Sequence, residues 1–288
     1  MSSSERLQPG RGANLVEVPD GAYVYVVRSR RSGGVSVGVD LTPAGACPLA
    51  CDYCQVPRTE RVTSIDRVEL ARLRIELSST FQALAERGEQ AVDVCFAGSG
   101  EPTWSPNFAA ALEVAIDVAA GRVPVRVLTS GATLDWERVR EPLAGLVARG
   151  AGEVWVKLDA WDEATIARFW ASRGQARHEA RIARFARETP TVLQVLVAAR
   201  THGPSIDATR RGLRDAIQRI VAAGAKIQRV SLTTMHRPPG TADQEVSAYD
   251  DDALDEIASV VREAGVPVTV AYARPRPAHA STDSVAPT

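Results

Sequence analysis

The sequence is poor in the residues that staple, stack or anchor a chain. It has four cysteines, four histidines and two methionines in 288 residues, and aromatic side chains make up 5% of it. Three of the four cysteines fall between Cys47 and Cys54. That set cannot build the disulfide framework of a small secreted domain, and such crowding suits a metal site in a reducing compartment. The few Trp and Tyr form no series on which single-stranded nucleic acid could stack. The formal net charge is −1, so no overall basic field draws the chain to nucleic acid, and only a local patch of arginines could do so. No apolar run is long enough to cross a bilayer. Residues 1–11 lack the apolar core of a signal peptide. Together these absences predict a cytoplasmic protein with no membrane partner.

What is present is alternation. Hydrophobic residues make up 45% of the chain, enough for a sizeable core. Short runs rich in Val and Leu read as strands at 35–42, 91–97, 124–129, 153–159, 191–199 and 228–234, with further candidates at 22–28 and 266–272. Between them lie segments with helical spacing at 66–87, 106–120, 134–148, 206–223 and 250–264. Strand–helix alternation predicts a parallel sheet covered by helices. Periodicity alone admits either a partial barrel or an open doubly wound sheet. The strand faces favour the barrel. In 154–159, Val154, Val156 and Leu158 share one face, while Trp155, Lys157 and Asp159 share the other. The run 35–42 likewise sets Ser36, Gly38, Asp40 and Thr42 against an apolar face, and Gln194, Ser231 and Thr233 sit similarly in later runs. Polar residues converging from several strands need an interior that can solvate or pair them. The expected fold is α/β, a partial (βα)6 TIM-type barrel with short N- and C-terminal extensions. Residues 1–20 read as a flexible leader, 21–273 as the barrel domain, and the proline-rich 274–288 as a disordered tail.

In such barrels the chemistry gathers at the C-terminal ends of the strands. Directly after the first barrel strand comes Cys47-Pro48-Leu49-Ala50-Cys51-Asp52-Tyr53-Cys54. Iron–sulfur clusters are held by thiolates. Three protein ligands on a four-iron cluster leave one iron open, as a catalytic cluster requires. A structural zinc site wants four ligands and would have to recruit Cys95, or His178, His202, His236 or His279 from far along the chain. The spacing favours the iron–sulfur reading, with zinc as the alternative.

The C-x3-C-x2-C spacing, with an aromatic residue before the last cysteine, resembles the signature of the radical S-adenosylmethionine (radical SAM) superfamily. The resemblance implies that Cys47, Cys51 and Cys54 hold a [4Fe–4S] cluster, that its open iron takes S-adenosylmethionine, and that Tyr53 touches the adenine region. A second segment, Gly98-Ser99-Gly100-Glu101 after the second barrel strand, is similar to the family's Gly-Gly-Glu segment, which binds the methionine amino group; Ser99 stands where the family has its first glycine. Leu128-Thr129-Ser130-Gly131 and Val156-Lys157-Leu158-Asp159-Ala160 resemble the ends of the third and fourth strands, placing Ser130 and Asp159 near the cofactor, Asp159 by its ribose. The closest likeness is to the wyosine-synthase-like branch, but residues 1–46 contain none of that branch's second-cluster cysteines.

The plainer readings stand beside these. Cys95 reads as a buried small hydrophobe. Lys157 and Asp159, the candidate catalytic pair, could equally be an internal ion pair. His236 reads as a loop histidine, and Arg168–Arg187 as a solvated helical face. The implied activity is reductive cleavage of S-adenosylmethionine to a 5′-deoxyadenosyl radical, which takes hydrogen from a small molecule or modified nucleotide. The alternatives are an activase that makes a glycyl radical on a partner protein, and a non-catalytic zinc-binding module. An external one-electron reductant of the flavodoxin or ferredoxin type is the expected partner.

Overall fold

The computed structural model describes residues 21–43, 47–49, 51–56, 65–161, 175–201, 203–240 and 246–272. The leader 1–20, the tail 274–288, His202, His279 and the first part of the arginine-rich stretch at 168–187 lie outside the described residues.

Eight strands form one sheet. Strands β1 (Val24–Ser29) and β2 (Gly34–Val39) are an antiparallel hairpin. The sheet then runs parallel through β3 (Ala91–Phe96), β4 (Val125–Thr129), β5 (Gly152–Lys157) and β6 (Thr191–Val197). It ends on β8 (Ile227–Thr234) and β10 (Val268–Ala271), so β1 and β10 are its edges. A small antiparallel ribbon, β7 (Ala199–Arg200) with β9 (Val246–Ser247), stands apart. The sheet curls into a half barrel. Arg30, in the β1–β2 turn, donates 3.0 Å to the carbonyl of Tyr272, just past β10, so the two edges converge.

Among the described residues, six α-helices cover the outside: α1 (Leu70–Glu86), α2 (Phe108–Ala119), α3 (Glu137–Ala148), α4 (Gln175–Glu188), α5 (Ile206–Ala222) and α6 (Asp251–Glu263). Two begin at good caps. The Ser205 hydroxyl accepts from Ala208 N–H at 3.2 Å, and Asp250 accepts from Ala253 N–H at 2.8 Å. Helix α1 is fastened to the first strand by one carboxylate: Glu76 accepts from the N–H groups of Ala22, Tyr23 and Val24 at 2.9, 2.8 and 3.2 Å. The arginine-rich helix α4 is not solvated all round. His178, Ile182, Phe185 and Ala186 share a face at helical spacing and are buried.

The outward strand face is the apolar core, with Val94, Val127, Val154, Val156, Val195 and Leu232 fully buried under the helices. The inward face is layered. At the N-terminal ends lies an ionic floor. Arg126 bonds Asp93 at 2.5 Å and Glu153 at 3.1 Å, and Arg229 forks onto Glu153 at 2.9 Å. Above it Cys95, Leu128, Trp155 and Val192 form a buried apolar layer, with the Arg126 and Arg229 guanidiniums against the Trp155 ring. Above that layer the inward residues turn polar again: Asp40, Lys157, Asp159, Gln194 and Ser231. That polar layer opens at the C-terminal ends of the strands. Among the described residues, no helix is long and apolar enough to cross a membrane.

Candidate active site

The loop carrying Cys47, Cys51 and Cys54 follows β2 and lies over the polar layer. Two side chains inside the triad fix it. Asp52 and Arg200 form a bidentate pair at 2.7 and 3.1 Å, with side chains only 8% and 7% exposed. Arg200 also donates to the carbonyl of Ala198 at 3.1 Å. A buried carboxylate needs such a partner, and the short β7–β9 ribbon holds the arginine in place. Tyr53 reaches the other way. Its hydroxyl donates to one Asp159 oxygen, and the second oxygen accepts from Leu196 N–H at 2.7 Å. Tyr53 packs with Ala160, Ala198 and Met235, against Cys51. Finally, Gly240 N–H donates to the Cys54 carbonyl at 2.8 Å. The loop is therefore tied to the ends of β5, β6 and β8.

Lys157 and Asp159 share the inward face of β5, as alternation predicts, and Tyr53 stands between them. Lys157 Nζ lies 3.5 Å from the Tyr53 hydroxyl and 5.3 Å from its ring centroid. Burial pushes the ammonium down, but Asp159, Cys51, Glu101 and Cys54 outweigh it and hold Lys157 above the ordinary lysine range. Burial pushes the Asp159 carboxyl up, against the pull of Lys157, the Tyr53 hydroxyl and the Leu196 N–H. Burial, then Asp159 and Cys51, push the Tyr53 hydroxyl well up as well.

The segment 98–101 closes the second side. Asp40, at the end of β2, accepts from Ser99 N–H at 3.0 Å and from its hydroxyl at 2.6 Å. The other Asp40 oxygen accepts from Thr42 N–H at 2.9 Å and the Thr42 hydroxyl at 3.1 Å. The hydroxyl of Ser99 thus fastens this loop to the strand that leads into the cysteines. Gly98 has φ +148, and a Cβ there would stand 2.4 Å from Asp40 Cγ, so only glycine fits. Gly100 carries the backbone on to Glu101. Glu101, 4% exposed, accepts from the Thr103 hydroxyl at 2.6 Å, the Thr129 hydroxyl at 2.7 Å and Ser130 N–H at 2.6 Å. Its oxygens thus pin the turn to the end of β4, where Ser130 accepts from Ala132 N–H at 3.2 Å.

All the residues singled out from the sequence, namely Cys47, Cys51, Tyr53, Cys54, Gly98, Ser99, Gly100, Glu101, Ser130, Lys157 and Asp159, lie at the C-terminal ends of β2 to β5 or on the loops that follow. Cys95 lies apart, in the apolar layer. Two residues escaped the sequence reading of the site, and a third, Gln194, was read there only as part of a polar strand face. The Asp52–Arg200 pair joins positions 148 apart, and only an acidic residue between two cysteines hinted at it. Gln194, in register with Lys157, has a buried side-chain oxygen with no hydrogen-bond partner among the described residues. Such a group marks a place where a ligand atom can complete the bonding.

Among the described residues, no three Cys, His, Asp or Glu side chains surround a position for a single metal ion. The donor chemistry fits a larger group held by thiolates. Three thiols share one braced loop, and Cys54 and Cys47 both weigh on the Cys51 thiol. Burial pushes that thiol up to about 12, with Lys157 pulling the other way.

Residues 41–197, more than half the chain, match the sequence profile of the radical SAM superfamily. That stretch includes the cysteine loop, the Gly98–Glu101 turn, Ser130, Lys157 and Asp159. No curated protein matches the sequence. Among solved structures, a radical SAM methyltransferase from Sphaerobacter thermophilus is similar with a TM-score of 0.61 at 15% identity, over 86% of this chain and 69% of that one. SuiB of Streptococcus suis, bound to its precursor peptide SuiA, has a TM-score of 0.55 at 16% identity over 81% of this chain; the chain spans 48% of SuiB's length. TYW1 with a lysine–pyruvate adduct has a TM-score of 0.50 at 14% identity, over 79% of this chain and 73% of that one. At these identities the likeness is one of fold.

Proposed function

The chain belongs to the radical SAM superfamily, and on that premise we propose that residues 21–273 form an enzyme that reductively cleaves S-adenosylmethionine. Cys47, Cys51 and Cys54 would hold the [4Fe–4S] cluster that the family implies. When bound, the cluster and S-adenosylmethionine would supply the hard chemistry, one-electron reductive cleavage of the sulfonium with an external reductant and hydrogen-atom abstraction from the substrate.

The protein's part is to bind, orient and exclude water. The observation that carries the reading is the bracing of the three-thiol loop over the polar mouth by Asp52–Arg200 and Tyr53–Asp159. That bracing presents the thiols on a rigid element instead of a free loop, as a precise site needs. Gly98 and Gly100 let backbone approach a ligand closely, and Ser99 and Glu101 set the shape of their turn. In this reading Glu101 acts through the turn, because its oxygens already accept from Thr103, Thr129 and Ser130. Tyr53, Ser130 and Asp159 would line the cofactor, and Gln194 would offer its buried amide to cofactor or substrate. Lys157, beside Tyr53 and below the mouth, would face the substrate.

Anaerobic reconstitution tests this reading. The chain should take up about four irons and four sulfides. Replacement of any one of Cys47, Cys51 and Cys54 by Ala should abolish uptake, while Cys95→Ala should retain it. Reduced protein given S-adenosylmethionine should release 5′-deoxyadenosine. A fully loaded, reduced protein that never yields this product would overturn the proposal.

A further inference from the structure

Just above the apolar layer, three inward side chains form a row across neighbouring strands. Lys157 on β5 is in register with Gln194 on β6, and Gln194 with Ser231 on β8. Neighbouring strands stand about 4.8 Å apart, so the three side chains rise side by side. One pleat lower, the same register sets Trp155 beside Val192 in the apolar layer. The row is therefore the first polar level that a group reaching down the mouth would meet above that layer.

Gln194 is 3% exposed, and its side-chain oxygen has no hydrogen-bond partner among the described residues. Its main-chain carbonyl is already used, accepting from Leu158 N–H at 2.8 Å. A buried acceptor left without a donor costs stability, and a ligand that supplies the donor removes that cost. Ser231 beside it is 2% exposed and adds a hydroxyl to the row.

Lys157 supplies the complementary group. An ammonium only donates, and among the described residues its hydrogen bond is the one to the Tyr53 hydroxyl at 3.5 Å. Tyr53 in turn donates to Asp159. One positive charge is thus linked to one carboxylate through one hydroxyl. A ligand at the row need bring no charge of its own. It must bring an acceptor for Lys157 and a donor for Gln194.

We propose that Lys157, Gln194 and Ser231 form a subsite for an amide group of the substrate, with its carbonyl oxygen on Lys157, its N–H on the Gln194 oxygen, and the Ser231 hydroxyl beside it. A carboxylate would satisfy the ammonium but set a second acceptor against Gln194, and a hydrocarbon would leave both bonds unmade. Calling this ligand the substrate rests on the proposed function, which puts the chemistry at the cysteine loop over the row.

Ligand-observed NMR titration of the full chain tests the subsite, with nicotinamide as an open amide, uracil as a cyclic one and nicotinate as the carboxylate counterpart. The wild-type chain should bind at least one amide saturably, and nicotinamide more tightly than nicotinate. The tighter of nicotinamide and uracil tells an open amide from a cyclic one. Gln194→Leu, similar in size, should bind the preferred amide about tenfold more weakly, and Lys157→Met should weaken it too. Arg262→Gln, at an exposed position on α6, should bind as the wild type does. Gln194→Leu should melt no lower than the wild type, because its side-chain oxygen gives up no bond within the described protein. No saturable amide binding, equal binding by Gln194→Leu, or tighter binding of nicotinate than of nicotinamide would overturn the subsite. So would a Gln194→Leu chain that melts well below the wild type, since Gln194 would then be bonded within the protein. Iron and sulfide uptake and 5′-deoxyadenosine release are followed on separate wild-type samples. A chain that binds the amide through Gln194 but never cleaves S-adenosylmethionine keeps the subsite and loses the functional reading. The reverse pattern keeps the function and loses the subsite.

Discussion

Tyr53 is where the cysteine loop meets the barrel, and its hydroxyl mediates between two charged residues. Without that hydroxyl, Asp159 keeps only the Leu196 N–H of the donors described above, and Lys157 loses one polar contact. Tyr53→Phe is expected to lose about 1–3 kcal/mol in the empty protein, the range for a buried polar group left short of a partner. Asp159→Ala removes the carboxylate on which both the Tyr53 hydroxyl and the Leu196 N–H bond, and should lose more. Urea unfolding of the two variants measures this; unchanged midpoints would show that the bridge contributes no stability. Cofactor cleavage by Asp159→Ala, normalised to folded protein, then separates the roles, since a normal yield leaves Asp159 a brace only. Much of this arrangement was legible in advance. Alternation from 154 to 159 set Lys157 and Asp159 on one face, one pleat repeat apart, with Asp159 nearer the mouth. Their shared partner was not legible, because it comes from 106 residues away and nothing in local pattern encodes that meeting. Ser99 is a similar case. It read as a departure from the family's glycine, and the bond to Asp40 shows what its hydroxyl does.

At the scale of elements, Glu76 shows how a helix can be fastened by one side chain. Burial alone would raise its pKa, but three backbone N–H donors and Arg72 outweigh that and hold the carboxyl below its ordinary value of 4.5. The sign follows from the lowered value. This stabilisation is fully present above the unfolded-state pKa and is lost as the pH falls through the folded one. Glu76→Gln should therefore cost about 1–3 kcal/mol at pH 7, and its deficit against the wild type should shrink once the pH drops below 4.5. Denaturant titrations at pH 7 and at successively lower pH measure the difference, and a deficit independent of pH would refute the charge-assisted tie. Strands and helices of several residues were readable within a few positions of their ends, because their periods repeat often enough. The two-residue strands β7 and β9 were not, since a pair of residues carries no period. The inner face of α4 was hidden by its arginines, although His178, Ile182 and Phe185 fall at helical spacing.

For the molecule as a whole, the choice between half barrel and open sheet turned on the polar strand faces, which require an interior. The sequence reading placed that polarity at the mouth and did not separate it from the charged layer at the other end, because Asp93, Arg126, Glu153 and Arg229 come from four different strands. Asp93 is fully buried and bonded to Arg126 at 2.5 Å. Arg126→Leu leaves that carboxylate without the arginine and should cost about 3–5 kcal/mol. Adding Asp93→Asn should recover part of the loss, since neighbouring changes of this kind do not add. Thermal or urea melts of the single and double variants decide it, and strict additivity would mean that the two residues do not act as a pair.

The buried layer of Cys95, Leu128, Trp155 and Val192, backed by those ions, makes the barrel a blind alley. Among the described residues, that layer fills the inner face below the polar mouth. On the proposed function, a long polymer would have to dip in a free end or a unit bent out of its run. On the proposed function, substrate and cofactor would then enter and leave by the same mouth, and a spent cofactor would have to go before the next could bind.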